Sequence, residues 1–493
     1  MKRLRGDLVI ELEDRNTGVV ERVAESNMVT NAVNHILGIN PMGALYNAGG
    51  EFDDMVDWNE EMLPICPNMI GGILLLPGAV TEDEETIFLS SGNMPVGYAS
   101  NNVNSTANVK RGSLNQSESM PLTDGYKFVW EFTPSQGNGT ISSVGLTSKQ
   151  GGMNGYGSDV EVDTTLLQLR KISVGNAGGA IGDLLRAVRM DFERGRVFAL
   201  SFDTSTVTVR EYRIPTFDIG LNERLDDRTL TLVGSTGILC STFEFLGSDS
   251  EYGIFMDGGD GYWYGFANQG NSSGNATVLW VKIRQSDCSF TEGRWTISNA
   301  ALMPVGSFMD DMSYPEGSRN AVMRGGYLYV PAYDRRGVYK INVANITDVT
   351  LIPLGFMSGF ESIGDSGSMD VCMTLIGDLI VAYDFEIDVN DNVIRTYAGI
   401  RCGEIATPFF QYKEFLVAWG GAFANNYRYT FLLTPYLATI CNLSQPVVKN
   451  VDKTMKITYT LTEVEGSGSA GSGSGSGGSG EPGGSGGSGG SGS

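Results

Sequence analysis

Four aspartates recur at the ends of short apolar strands: Asp203, Asp257, Asp334 and Asp384. Two carboxylates are the minimum equipment for hydrolysing a glycosidic bond, provided that their strand ends meet on one rim. The competing reading is that each Asp folds its own hairpin turn by accepting backbone N–H bonds. Other hydrolytic chemistries lack parts. His35 is the single histidine, so no ordinary Ser-His-Asp or Cys-His arrangement and no His-rich zinc site can be placed. The runs Asp257-Gly-Gly-Asp-Gly261 and Asp388-Val-Asn-Asp-Asn392 carry oxygen donors at the close spacing that Ca²⁺ needs. Neither has the length or terminal Glu of an EF-hand, and plain hairpin turns account for both. The Gly175–Gly182 stretch lacks the Lys-Ser/Thr of a phosphate loop. No cofactor is called for, and the expectation is a chain that is not an enzyme.

Aromatic side chains offer recognition without turnover. Tyr262, Trp263 and Tyr264, with Tyr333 and Trp419, lie in or beside the repeated strands. Flat rings meet the apolar C–H faces of sugars at low entropy cost, while Asn268, Asp334 and Asp384 can take hydroxyls. The Tyr262–Tyr264 hairpin, beside the Gly-rich 268–274 stretch, reads as a projecting loop. The same rings also suit the packing between sheets.

The elements that must position these groups form a degenerate repeat of strand, polar turn and strand. Its copies begin at Gly195, Gly253, Gly326, Gly377 and Lys413, spaced by 58, 73, 51 and 36 residues. Partner strands follow at Thr206–Tyr212, Val278–Ile283, Val338–Val343, Val393–Ile400 and Tyr427–Leu433. The expected fold is mainly β: an irregular propeller of about five blades, inserted into a β module formed by both chain ends. Stacked sandwiches of ordinary hairpins are the alternative. Residues 1–175 read as an N-terminal β-rich module with a short helix at Asn31–Leu37, and 176–440 as the propeller. Residues 441–465 supply a strand closing on the N-terminal module. Within that module, Gly137 and Gly139 suggest a hairpin joining Phe128–Phe132 to Ile141–Leu146.

Composition narrows the partners. A net charge of −23 repels phosphate backbones, and no Lys/Arg cluster with interleaved aromatics offsets it, so nucleic acid is not expected. No apolar run approaches the length of a membrane span, and Met1-Lys-Arg-Leu-Arg-Gly-Asp7 runs into a strand rather than an apolar leader. Synthesis in a cytoplasm without a signal peptide is expected. The 6 cysteines are scattered without a CxxC pair and read as small apolar core residues. Residues 466–493 are almost wholly Gly and Ser, a coil whose span would be roughly 30 Å. They read as an engineered linker, with a native flexible arm as the alternative.

One set of segments carries a resemblance. Gly6–Arg22, Ser26–Val33, Gly71–Pro77, Phe128–Phe132, Gln136–Ile141 and Gly145–Gly151, with Pro435–Ile440 and Lys453–Thr462, resemble the N-terminal module of tail proteins in phages and prophages of Gram-positive, largely Firmicute, bacteria. The likeness covers the two ends of the chain; the middle shares only a style of repeat. It implies a non-enzymatic tail-tip, baseplate or fibre component, assembled into a virion or phage-tail-like particle. Implied partners are other tail or baseplate proteins, a cell-envelope glycan or surface protein of the host, and further copies of the chain in a homo-oligomer. A carbohydrate-active hydrolase on the propeller rim and a purely structural particle component remain the alternative functions.

Overall fold

The computed structural model describes residues 3–38, 64–89, 93–149, 166–175, 183–213, 230–246, 252–305, 319–359, 373–382, 384–395, 407–422, 425–433 and 436–464. The chain ends build one 10-stranded sheet. Its order is Gly97–Ala99, Gly72–Leu76, Gly139–Thr147, Thr439–Lys449, Val20–Val29, Arg3–Asp14, Lys453–Val464, Gly125–Phe132 and Ser113–Leu114, with Met120–Leu122 added beside Gly125–Phe132. Strict alternation explains the pairing of the two ends. Leu8, Ile10 and Leu12 lie opposite Tyr459, Ile457 and Met455, which lie opposite Phe128, Trp130 and Phe132. These three cross-strand rows are all buried in one core, the arrangement that fixes register when one face is apolar. A parallel bridge from Tyr98 to Arg111 brings the sheet's two margins together, so it is nearly closed into a barrel.

The expected hairpin between Phe128–Phe132 and Ile141–Leu146 does not form. Gly125–Phe132 pairs with Lys453–Val464, and Gly139–Thr147 with Thr439–Lys449 and Gly72–Leu76. The chain does turn at 133–138, but the C-terminal strands take both partners. Lys449 Nζ holds that turn, donating to Thr133 O at 2.9 Å and to Asn138 Oδ1 at 3.0 Å. Burial of its ammonium pulls the Lys449 pKa down to about 8.

Between the barrel strands the chain forms five 4-stranded antiparallel sheets arranged as a propeller. From inner to outer strand, blade one is Ala187–Asp191, Arg196–Asp203, Thr206–Arg213 and Thr231–Leu239. Blade two is Ile254–Asp257, Tyr262–Ala267, Ala276–Arg284 and Phe290–Ile297. Blade three is Val322–Arg324, Tyr327–Pro331, Gly337–Asn342 and Val349–Pro353. Blade four is Met373–Ile376, Leu379–Ala382, Phe385–Ile387 and Val393–Arg395. Blade five combines Phe410–Tyr412, Phe415–Ala422 and Asn425–Leu433 with Leu166–Gly175, a strand from before the first blade. The propeller therefore reaches back to Leu166, and the boundary expected at 175 falls one strand late. Five apolar clusters join successive blades, and the one containing Ala187, Val197, Val417 and Trp419 joins blade five to blade one. That last contact closes the ring.

The two bodies share a core. Ala32, Val33 and Ile36 on helix Asn31–Gly38 pack with the barrel interior and with Phe415 and Leu432 of blade five. On the same helix His35 Nδ1 lies 2.9 Å from Glu414 Oε1, and Lys413 Nζ lies 2.9 Å from His35 Nε2. A lysine ammonium only donates, so Nε2 accepts and Nδ1–H donates to the carboxylate. The Glu414 side chain is fully buried, which pushes its pKa up against the opposing pull of His35 and Lys413. The lone histidine is thus a structural partner at the junction.

Candidate functional site

In a four-stranded meander, successive turns fall on alternate rims. The turn between the first and second strands of each blade therefore lies on the rim opposite the turn between its second and third strands. Asp203, Asp334 and Asp384 close second strands, whereas Asp257 closes the innermost strand of blade two. The four aspartates do not share a rim. The second repeat copy was read one strand out of phase: the counterpart of the other copies is Tyr262–Ala267, not Gly253–Asp257.

The individual carboxylates are occupied by turns and connectors. Asp334 Oδ1 accepts the Arg336 N–H at 3.0 Å. Asp384 is buried and accepts Ser358 Oγ at 2.6 Å and the Gly359 N–H at 2.8 Å. Asp388 Oδ1 accepts the Asn390 and Asn392 N–H groups, both at 2.8 Å, while Asp391 pairs with Arg324 and Lys340 at 2.8 and 2.6 Å. Among the described residues no cluster of three or more His, Cys, Asp or Glu side chains is placed to hold a metal.

The expected binding residues also divide. Asn268 is buried and its Nδ2 donates to Met303 O at 3.0 Å, so it braces the connector to blade three. Trp419 is fully buried between blades five and one. Tyr333 is 49 % exposed but stands on the rim away from Tyr262. Tyr262, Trp263 and Tyr264 do not project as a loop; they begin the second strand of blade two, and the 268–274 segment lies at its other end.

Those three residues nevertheless sit between two clefts. The 258–261 turn that positions them needs glycine: Gly259 and Gly261 have φ of +72° and +85°, and a Cβ at Gly258 would lie 2.4 Å from the Tyr264 ring. Asp257 Oδ1 accepts the Gly259 N–H at 2.9 Å and folds the turn.

The cleft between blades one and two measures about 590 Å³ and is walled by Arg189, Arg194, Arg196, Arg284, Tyr262 and Trp263. Arg189 Nη1 donates to Gln285 Oε1 at 2.7 Å, and Gln285 Nε2 donates to Asp257 Oδ1 at 2.9 Å. Arg194 pairs with Asp191 at 2.9 Å and Arg284 with Asp287 at 3.2 Å, while Arg196 pairs with Glu211. The guanidinium groups are exposed and keep N–H positions open to a hydroxyl-bearing ligand, whereas of the carboxylates only Asp287 is exposed and Asp191, Glu211 and Asp257 are partly buried. The Trp263 Nε1–H is buried without a partner.

The cleft between blades two and three is smaller, about 280 Å³, and more aromatic: Tyr264, Trp280, Trp295 and Tyr327 line it with Lys282, Asp260 and Asn342. The Trp280 and Trp295 rings stack with centroids 5.6 Å apart. Tyr264 OH donates to Asp260 Oδ2 at 2.7 Å, a contact that, with burial, pushes the phenol pKa upward. Lys282 Nζ sits 4.0 Å above the Tyr262 ring and 3.5 Å from Asp260 Oδ2. Asp260 lines both clefts, so the turn divides one surface rather than separating two. A third cavity, about 360 Å³, runs among the inner strands of all five blades and carries Met190, Met256, Met323 and Met373.

Sequence reasoning missed the four arginines and Trp280 and Trp295. Arg189, Arg194 and Arg196 come from one hairpin of blade one, Arg194 in its turn, and the packing of blade two beside it brings Arg284 to them. The tryptophans carried a usable signal, because the Ala276–Arg284 and Phe290–Ile297 hairpin places them near each other.

No family model matches the chain, and no curated protein matches it. Among solved structures, apo AztD from Citrobacter koseri aligns over 90 % of this chain and 100 % of its own, at 10 % identity and a TM-score of 0.15, a likeness that carries no argument about fold or function.

Proposed function

We propose that the chain is a non-enzymatic tail component of a phage or phage-derived particle, whose propeller rim recognises a host-surface glycan. The observation that carries the reading is the pair of clefts around the 258–261 turn, where aromatic rings alternate with charged hydrogen-bonding groups. Rings supply apolar area to the C–H face of a sugar, and arginine, aspartate and glutamine orient its hydroxyls. The resemblance of the chain ends to phage tail modules supplies the context. Multiple copies on a particle turn weak sites into firm attachment.

Titration calorimetry of the protein with isolated Gram-positive wall polysaccharides tests this. Binding without released sugar is expected, with Tyr262→Ala and Trp280→Ala each weakening it about tenfold, or about 1.4 kcal/mol. Thermal midpoints report whether each variant stays folded. Released oligosaccharide overturns the reading in favour of a hydrolase; no binding to any envelope polymer leaves a purely structural role.

A further inference from the structure

The two clefts beside the 258–261 turn hold charge without surplus. Their walls carry five cations, Arg189, Arg194, Arg196, Arg284 and Lys282, and two carboxylates, Asp191 and Asp260. Each cation has its own carboxylate. Arg194 pairs with Asp191 at 2.9 Å, Arg284 with Asp287 at 3.2 Å, Lys282 with Asp260 at 3.5 Å and Arg189 with Asp257 at 3.7 Å. Arg196 pairs with Glu211. Among the described residues no charged group of either wall is left single.

This balance decides what binds. An acid group entering either cleft meets cations that are already matched, with five carboxylates close by. It also approaches a chain of net charge −23, whose field repels anions. The same field draws cations, but no carboxylate of either cleft is unmatched, so an ammonium group gains no pair of its own. A hydroxyl is different, because it accepts and donates at once. It can accept from a guanidinium and donate to Asp260, which lines both clefts and is 46 % exposed, without breaking an ion pair. The arginines are free to serve it. Their bonds to protein use Nη1, with Nε added in Arg284, and Nη2 of all four holds no hydrogen bond to a described residue.

The geometry points to an uncharged glycan as the ligand of this surface, with neither acid nor amine groups on the units that enter the clefts. The assignment rests on glycan recognition by the same rim and narrows it to one chemical class. Tyr262, Trp280, Trp295 and Tyr327 meet the C–H faces of the sugar, and the matched pairs orient its hydroxyls.

Calorimetry with one acid-bearing Gram-positive wall polysaccharide in three forms tests this. The first is untreated. The second is stripped of phosphate by hydrofluoric acid and of carboxylate by carbodiimide–borohydride reduction, and the third is N-deacetylated to expose amines. The stripped polymer is expected to bind at least as tightly as the untreated one, with a dissociation constant that salt leaves unchanged. Asp287→Asn keeps the Oδ1 that accepts from Ser289 but releases Arg284 from its carboxylate. That variant should shift preference toward the untreated form by about twofold to fivefold, the size of one exposed charge pair. Binding lost on stripping, or falling steeply with salt, overturns the assignment and leaves recognition of a charged glycan. So does tighter binding of the amine-bearing form, or an Asp287→Asn chain that keeps the parent's preference. Failure of all three forms to bind overturns the assignment together with the glycan recognition on which it rests.

Discussion

At the scale of residues, the carboxylates of this protein mostly hold backbone in place. Glu292 is the clearest case: it accepts the N–H groups of Ser241, Thr242 and Phe243 at 2.8, 2.8 and 2.7 Å, and Ser241 Oγ at 2.7 Å. It thereby ties the outer strand of blade two to the connector from blade one. Burial raises its pKa, but these donors outweigh it and hold the carboxyl down at about 2, from an ordinary 4.5. The sign follows by linkage: a depressed carboxylate contributes fully above 4.5 and loses its contribution as pH falls toward 2. Glu292→Ala is expected to cost about 1–2 kcal/mol at neutral pH, because it leaves backbone donors short of an acceptor. Urea titrations of parent and variant should converge between pH 4.5 and about 2; a constant gap across that range would refute the role. The turn function of Asp334 was legible, since a strand-ending Asp bonds its own backbone. The anchoring of Asp384 to Ser358 and Gly359 was not, because that partner arrives from a distant connector.

At the scale of elements, alternation decided the barrel. Met455, Ile457, Tyr459 and Leu461 are buried from one strand that pairs on both sides, with Arg3–Asp14 and Gly125–Phe132. Deleting 453–464 is expected to abolish the barrel fold, because it uncovers two ladders and the shared core at once. Loss of the near-ultraviolet signal with protease-sensitive N-terminal strands would show this; an intact barrel after the deletion would contradict it. The blade strands were legible for the same reason. Which strand within a blade each one was, and whose partner Leu166–Gly175 would be, were not. A closing strand is recruited by the ring from outside its own repeat, and period-2 patterning carries no address.

At the scale of the whole molecule, barrel and propeller are joined by helix Asn31–Gly38, whose His35 satisfies the buried Glu414 of blade five. His35→Ala strands that carboxylate and is expected to destabilise the fold by about 3–5 kcal/mol. In calorimetry the junction should fail first, splitting one transition into separate barrel and propeller events. A variant that melts as one unit, with an unchanged midpoint, would mean that Phe415 and Leu432 suffice to couple the two bodies.

The sequence by itself determined the mainly β character, the repeated sheets and the pairing of the chain ends, because those rest on local periodicity and on apolar faces that must be covered. Only the tertiary structure decided that four aspartates divide between two rims. It also decided that Trp419 and Asn268 are interior, and that arginines and aromatics from neighbouring blades meet around the 258–261 turn. Rim assignment depends on how many strands precede a residue within its blade, and cleft composition on which blades are adjacent. Both are properties of the closed ring, and neither is written in any short stretch of the chain.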